Sequence, residues 1–318
     1  MDYLKKIEYK IAKEINNFIG VKTYKAVMKI SPEYGLQKNT PPIVVSMASY
    51  AGRYNTIIPT LKSLVCQSYK PDRIIIWLDE NSAENEITTQ MKAFEEYGVE
   101  YRYTTDNLKP HKKYFYAMQE FRDSIIITVD DDLVYSNDLI ESLMTLHKKH
   151  PDCVCARRVH KMEFDSTGKL LPYKRWGYEY RKEKQPSHLL CPTGGGGALY
   201  PAAILPEETF DIKKIKELCW RADDMWLKFM ELKADIPTVW VPINYVMPYE
   251  VKGSQEEALN ATNTNQGGMM SIKNIYLLIQ IKEIRILIIV KNNSINGRVT
   301  RVNNKFIKHF LVIGRELL

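Results

Sequence analysis

Ile125-Ile126-Ile127-Thr128-Val129-Asp130-Asp131-Asp132 is the stretch on which the fold turns. Five apolar and β-branched residues are too short a run for a helix, and they stop abruptly at three carboxylates. A strand that is apolar on both faces belongs in a parallel sheet covered by helices on each side. Three adjacent acids repel one another, an arrangement that persists best where a cation neutralises them. Hard oxygen ligands suit Mg²⁺ or Mn²⁺, either of which can hold a diphosphate. The alternative is a solvated acidic turn ahead of the next helix, with Ser136 or Asn137 as its N-cap. The triplet alone leaves both open.

Outward from this run the pattern repeats. Strands are predicted at 43–47, 73–78, 99–103 and 124–129, followed by helices at 57–66, 85–97, 113–121 and 137–149. This alternation implies βαβ units with right-handed crossovers, an α/β fold with a mostly parallel, Rossmann-like sheet. Ligands then bind outside the carboxyl ends of the strands. Further on, helices near 212–218 and 224–232 and a short strand at 238–241 follow a polar, aromatic-rich stretch at 157–188, and 253–268 reads as a flexible loop. Leu4, Ile7, Ile11, Ile15 and Phe18 recur at helical spacing, and Pro32, Pro41 and Pro42 punctuate a linker. The expected organisation is therefore an N-terminal amphipathic helix and linker (1–40), a catalytic body (41–270) and an Ile-rich helical extension (271–318).

The formal charge of +7 belongs to that extension, which holds nine Lys and Arg against Glu283 and Glu316. The first 270 residues are neutral, which argues against a nucleic-acid partner. Ile272–Val290 is interrupted by Lys273, Lys282, Glu283 and Arg285, so it reads as an interfacial helix on an anionic membrane surface rather than a span. A helix packed on the domain or in an oligomer is the competing reading. Residues 1–30 have no apolar signal core, and the five cysteines lack metal spacing. The expected location is the cytoplasm, peripheral on the inner face of the cell membrane.

A second acid pair, Asp223-Asp224, opens a predicted helix some 90 residues after the triplet. The helix dipole favours acids there, and a carboxylate in a cleft can also serve as a general base. Between the two clusters runs Gly194-Gly195-Gly196-Gly197, either a plain loop or a binding wall that backbone approaches closely. Trp176, Trp220 and Trp226 are candidates for stacking on sugar rings, Trp220 first because it lies beside the acid pair. Lys112 and Lys113, with His111, follow the third strand, where cations can meet phosphate.

In order, Ser46-Met47-Ala48-Ser49-Tyr50 with Arg53, Ser63 to Ser68, Pro71 to Asp79, the triplet, the Gly run and the acid pair resemble the metal-dependent GT-A glycosyltransferases. The closest style is the family 2 enzymes of bacterial capsule and lipopolysaccharide assembly. The resemblance, over 42–249, implies transfer of a sugar from a nucleotide-sugar, a UDP-sugar first, to a hydroxyl of a glycan or lipid-linked acceptor. It implies that Ser46, Ser49, Arg53, Lys112 and Lys113 bind the donor, that Asp79 or Glu80 contacts the base, and that Asp130 and Asp131 bind the diphosphate. Asp130 and Asp132 would ligate Mn²⁺ or Mg²⁺. Asp224, or Asp223 in its place, would be the base of an inverting reaction, with Gly195, Gly196 and Trp220 at the acceptor. Two departures stand out: Leu108 to Lys113 replaces the family's Gly and Arg-Asn elements, and no histidine follows the acid pair until His309.

Competing enzymes are a haloacid-dehalogenase-like phosphohydrolase, which would want a Thr at the position of Val134, and a sugar nucleotidyltransferase. A non-catalytic glycan- or nucleotide-binding module is the competing reading outside enzymes.

Overall fold

Every residue of β4 (Ile125–Val129) is buried, as an apolar strand sheathed by helices requires. The computed structural model of the chain describes residues 18, 20–80, 86–166, 170–241 and 248–251. Strand β1 (Ile43–Ala48) runs parallel to both β4 and β2 (Arg73–Leu78), and β3 (Val99–Tyr103) extends the sheet beyond β2. On the far side of β4 come β9 (Ala198–Tyr200), β6 (Val154–Ala156) and β10 (Thr238–Trp240). The seven-stranded order is β10-β6-β9-β4-β1-β2-β3. Because β9 is antiparallel to both neighbours, the sheet is mixed, with six strands running one way. Three residues behind a glycine run carry no readable strand signal, which is why sequence does not foretell β9.

Strand pleating sends alternate side chains to opposite layers. Ile43, Val45, Met47, Ile125, Ile127 and Val129 pack with α2 (Ile58–Val65) and α5 (Leu139–Lys149). Val44, Ile75, Trp77 and Ile126 face the other way, against α4 (Lys112–Glu120). Burying each large aliphatic side chain contributes about 1.5–3 kcal/mol, so the two faces together fix the strand register. The helices predicted at 57–66, 113–121 and 137–149 form with boundaries shifted by one or two residues. That predicted at 85–97 is broken: α3 (Thr89–Lys92) passes into a 3₁₀ turn, Ala93–Tyr97, and ends at Gly98 with φ +91°. Neither Ser136 nor Asn137 caps α5. Asp138 occupies the N-cap without a side-chain cap bond, because its carboxylate accepts from Ser136 Oγ at 2.5 Å and Arg157 Nη1 at 3.0 Å instead.

Three peripheral features complete the described unit. Strands β5 (Leu133–Val134) and β11 (Tyr249–Glu250) pair antiparallel, and residues 20–29, helix α1, lie on them through Val27 and Tyr24. Strands β7 (Val159–Lys161) and β8 (Leu190–Pro192) form a second small ladder. Helices α6 (Ile212–Leu218) and α7 (Asp223–Lys233) precede β10. All five cysteines are free thiols. No helix among the described residues is long and apolar enough to cross a membrane. The predicted loop at 253–268 and extension at 271–318 lie outside the described residues.

Two features of this topology place the site. The chain leaves β1 toward β2 on one side and returns to β4 on the other, so a crevice opens at their carboxyl ends. Strand β9 runs backwards, so the glycine run that precedes it arrives at that same edge.

Candidate active site

The parallel register puts Met47 opposite Val129, which sets the loop after β1 beside the acid triplet. Ser49 Oγ donates to Asp131 Oδ2 at 2.7 Å, and Thr60 Oγ1 donates to the Asp131 carbonyl at 3.1 Å. The buried Arg53 guanidinium stands 3.4 Å from Asp132 Oδ2. The backbone N–H of Asp130 donates to the buried Tyr135 hydroxyl at 2.8 Å. The triplet is thus held from three directions. Burial pushes the Asp131 carboxyl above its ordinary range, against the pull of Ser49 and Arg53.

Helix α4 supplies the hub. His111-Lys112-Lys113 points three side chains at three parts of the site. His111 Nε2 meets the Cys219 carbonyl at 2.8 Å and Nδ1 meets the Tyr114 hydroxyl at 2.8 Å, which ties α4 to the loop leading into α7. Lys112 Nζ lies 2.5 Å from Asp79 and donates to the Ser49 carbonyl at 3.1 Å. Lys113 Nζ lies 2.6 Å from Asp130 Oδ1 and 2.7 Å from Asp223 Oδ2. Two lysines in the first turn of a helix oppose its dipole. A local rule broken in this way marks a site whose other charges decide the matter.

The acid pair completes the cluster. Gly194 N–H donates to Asp224 Oδ1 at 2.9 Å, and any larger residue would disturb the ion pairs: a Cβ on residue 194 would sit 2.5 Å from Lys113 Nζ and 3.2 Å from both Asp130 and Asp224. Gly197 turns the chain into β9 at φ +89°. Asp223 and Asp224 titrate apart. Burial opposes ionisation of Asp223, but Lys113 and then His111 overcome it and hold its carboxyl below the usual range. Burial, with Asp223 beside it, pushes Asp224 up to about 7. A neutral-pH carboxylate at a cleft edge is suited to accept a proton from a hydroxyl.

Residues 45–205, about half of the 318-residue chain, match the family described as glycosyl transferase family 2. The chain belongs to that family. No curated protein matches it. Among solved structures, S. aureus TarS 1-349 is 17% identical over 66% of this chain and 60% of its own, at a TM-score of 0.43. The same fragment in complex with UDP-GlcNAc aligns at 16% identity over 66% and 58%, TM-score 0.44. GalNAc-T7 with UDP, GalNAc and Mn²⁺ aligns at 10% identity over 71% and 47%, TM-score 0.44. The family 2 chain spans less than two thirds of each.

Within this family 2 chain the structure gathers Ser49, Arg53, Asp79, Lys112, Lys113, the triplet, Gly194–Gly196 and the acid pair at one edge. Ser46 lies apart from this group. Pleating turns it to the α4 face, where it is fully buried, donates to the Lys113 carbonyl and accepts from Trp77 Nε1 at 2.9 Å. It supports the hub and does not face the crevice. Lys112 and Lys113 are buried on carboxylates rather than offered to phosphate. Gly196 packs against Arg158, where a Cβ would fall 2.9 Å from the backbone nitrogen. Trp176 and Trp226 are core residues whose indoles donate to the carbonyls of Leu171 and Thr209. Trp220 is half-buried, its ring under the Lys216 ammonium at 5.6 Å. Sequence reasoning missed Gly194 as the holder of Asp224, and His111 as the tie to Cys219. The glycine run was the signal for the first; a lone histidine gives none.

Proposed function

We propose that the chain is a metal-dependent, inverting glycosyltransferase acting on a nucleotide-sugar, UDP-linked in the first instance, in surface polysaccharide synthesis. One observation carries this: two acid clusters distant in sequence meet at one crevice through Lys113 and Gly194. The nucleotide lies on the β1–β2 side, where Asp79 and Ser49 face it, and Asp224 removes the acceptor proton. A single near-neutral carboxylate is enough for inversion by direct displacement.

The residues present fit a divalent cation shared with the donor. The carboxylates of Asp79, Asp130, Asp131, Asp132, Asp223 and Asp224 outnumber the cations of Arg53, Lys112 and Lys113 by three, and a diphosphate entering such a crevice requires added positive charge. Among the described residues no three His, Cys, Asp or Glu side chains converge to hold an ion by themselves. Asp130 and Asp132 as two ligands, with donor phosphate oxygens as the others, is the way Mg²⁺ and Mn²⁺ are commonly bound. Bound there, the ion would offset charge developing on the leaving diphosphate.

The test is thermal stabilisation by UDP-, GDP- and CMP-sugars with and without Mn²⁺, since a ligand of the folded state raises its melting temperature. One donor is expected to stabilise the chain only with Mn²⁺, and Asp132→Ala is expected to remove that dependence. Equal stabilisation of the Asp132→Ala protein refutes the ligand assignment. A phosphohydrolase has less support, because position 134 is a buried valine in β5 and supplies no hydroxyl.

The body at 41–270 would carry the chemistry in the cytoplasm, and 271–318 would hold it at an anionic inner leaflet near a lipid-linked or glycan acceptor. Polybasic segments gain roughly 1 kcal/mol per Lys or Arg at such surfaces. Deleting 271–318 is expected to release the protein from phosphatidylglycerol vesicles in a sedimentation assay; undiminished binding would place the extension on the protein instead.

A further inference from the structure

The neutral charge of the body conceals a local excess. From Arg157 to Lys184 there are nine Lys and Arg against four Asp and Glu. The described residues of this segment, 157–166 and 170–184, form a flap on the β7–β8 ladder, pinned by Lys161 pairing with Gly177 and by the buried Trp176. Its outer surface carries Lys174, Arg175, Arg181, Lys182 and Lys184, all exposed. Tyr178 stacks one face on His160 at 4.2 Å and 28°, yet stays 49% exposed. Arg158 Nη2 donates to the Tyr178 hydroxyl at 2.8 Å, with its Nε 3.5 Å from Glu179.

The flap borders the crevice at the glycine run, on the β9 side of β4. Thr193 N–H donates to the Arg158 carbonyl at 3.1 Å. A Cβ on Gly195 would lie 3.7 Å from Arg158 Nη1 and 3.4 Å from Asp130 Oδ2. The glycine run therefore touches both the catalytic acids and the flap. Asp79 and Lys112 sit toward β2, whereas the flap joins the sheet through β6 and β9, across β4. In direct displacement the acceptor must approach opposite the leaving group, so its seat is sought on the part of the crevice that the donor does not fill.

We propose that residues 170–184 of the flap, with Arg158, seat the acceptor and that the acceptor is an anionic glycan, a sugar chain bearing phosphate or carboxylate groups. The inference rests on the transferase reading and adds the chemistry of the substrate. Tyr178 has His160 stacked at 4.2 Å and the Arg158 guanidinium 5.4 Å from its ring centroid, and its 49% exposed remainder is what a sugar would meet, as on an amphipathic aromatic. Arg175, Arg181 and Lys182 meet charges repeated along the chain, and Arg158 orients the Tyr178 ring.

The full-length protein is titrated by calorimetry with oligogalacturonate, phosphorylated dextran and unmodified dextran, at low and moderate salt. At least one anionic glycan is expected to bind about tenfold more tightly than dextran, and raising the salt should weaken it. Arg181→Ala with Lys182→Ala, both exposed, is expected to lose about tenfold, the scale of two exposed ion pairs. Tyr178→Ala is expected to weaken binding at both salt levels. A control with Lys291→Gln, Arg298→Gln, Arg301→Gln and Lys305→Gln tests the other basic segment and should bind as wild type does. The proposal is overturned if dextran binds equally, if neither anionic glycan binds, or if only the control variant loses affinity. Phosphatidylglycerol vesicles that need Arg181 and Lys182, while the glycans do not, also overturn it. Donor-dependent thermal stabilisation is read in parallel on every variant: its absence from the wild type would sink the transferase reading itself, and its retention in flap variants confines any failure to the acceptor.

Discussion

Asp224→Asn lowers kcat by roughly 10²–10⁴-fold, the usual contribution of a positioned general base, and leaves Mn²⁺-dependent donor affinity largely intact. The asparagine oxygen can still accept from Gly194 N–H, as Asp224 Oδ1 does at 2.9 Å, so the glycine loop keeps its place. What the substitution removes is a carboxylate whose proton affinity burial and Asp223 have raised to about 7. The wild-type rate should therefore climb with pH along a limb centred near 7. Below it the carboxyl is protonated and takes no proton from the acceptor. Asp223→Asn should retain more activity, because Asp223 is committed to Lys113 at 2.7 Å and held ionised there. Near-normal turnover by the Asp224→Asn protein would transfer the role of base elsewhere.

The same carboxyl has a thermodynamic signature of unusual sign. Its ordinary value is 3.8, and the folded chain raises it to about 7. Below pH 4 both folded and unfolded chains hold the proton, so the group contributes nothing. Between 4 and 7 the unfolded chain has released it and the folded chain has not, so stability falls as pH rises. Above 7 the cost is complete. Asp224→Asn, which never ionises, should consequently melt higher than wild type at pH 8, with the gap closing toward pH 4. A gap equal at both pH values would mean that the carboxylate is not desolvated in the folded chain.

The β-runs could be read from sequence because a parallel sheet needs continuous apolar stretches, and Ile74–Leu78 and Ile125–Val129 are buried throughout. The acids could be read because carboxylates stacked three deep make no sense as packing. Side-chain direction was a different matter. Ser46 and Ser49 lie three residues apart in one motif, yet one is clamped under α4 and the other holds Asp131. That difference comes from strand pleating and from where β1 ends, which depends on register with β2 and β4. The lysines were legible as cations but their partners were not. Asp79 and Asp130 reach them from the carboxyl ends of the parallel strands β2 and β4, and Asp223 from the start of α7, contacts that depend on tertiary packing rather than on local sequence.

Lys113→Met should cost the fold on the order of 3–5 kcal/mol, the penalty for removing one partner from a buried ion pair. The ammonium, only 5% exposed, is shared by Asp130 at 2.6 Å and Asp223 at 2.7 Å. Methionine fills the volume of the stem and leaves the buried Asp223 carboxylate, together with the one-third exposed Asp130 and with Asp224, without its counter-charge. Against a typical total stability of about 5–15 kcal/mol, this should appear as a drop in melting temperature of roughly 10 °C. Neutralising the opposite partner tests the cause. If charge is responsible, Lys113→Met combined with Asp223→Asn loses clearly less than the sum of the two single changes, because neighbouring partners couple. Strict additivity would assign the loss to packing. Lys113→Arg should fail to restore the wild type despite its charge. A Cβ on Gly194 would already come within 2.5 Å of Lys113 Nζ, so the cleft accommodates a compact ammonium and resists a planar fork. Full recovery by arginine would mean that charge alone, in any shape, sets the position of these acids.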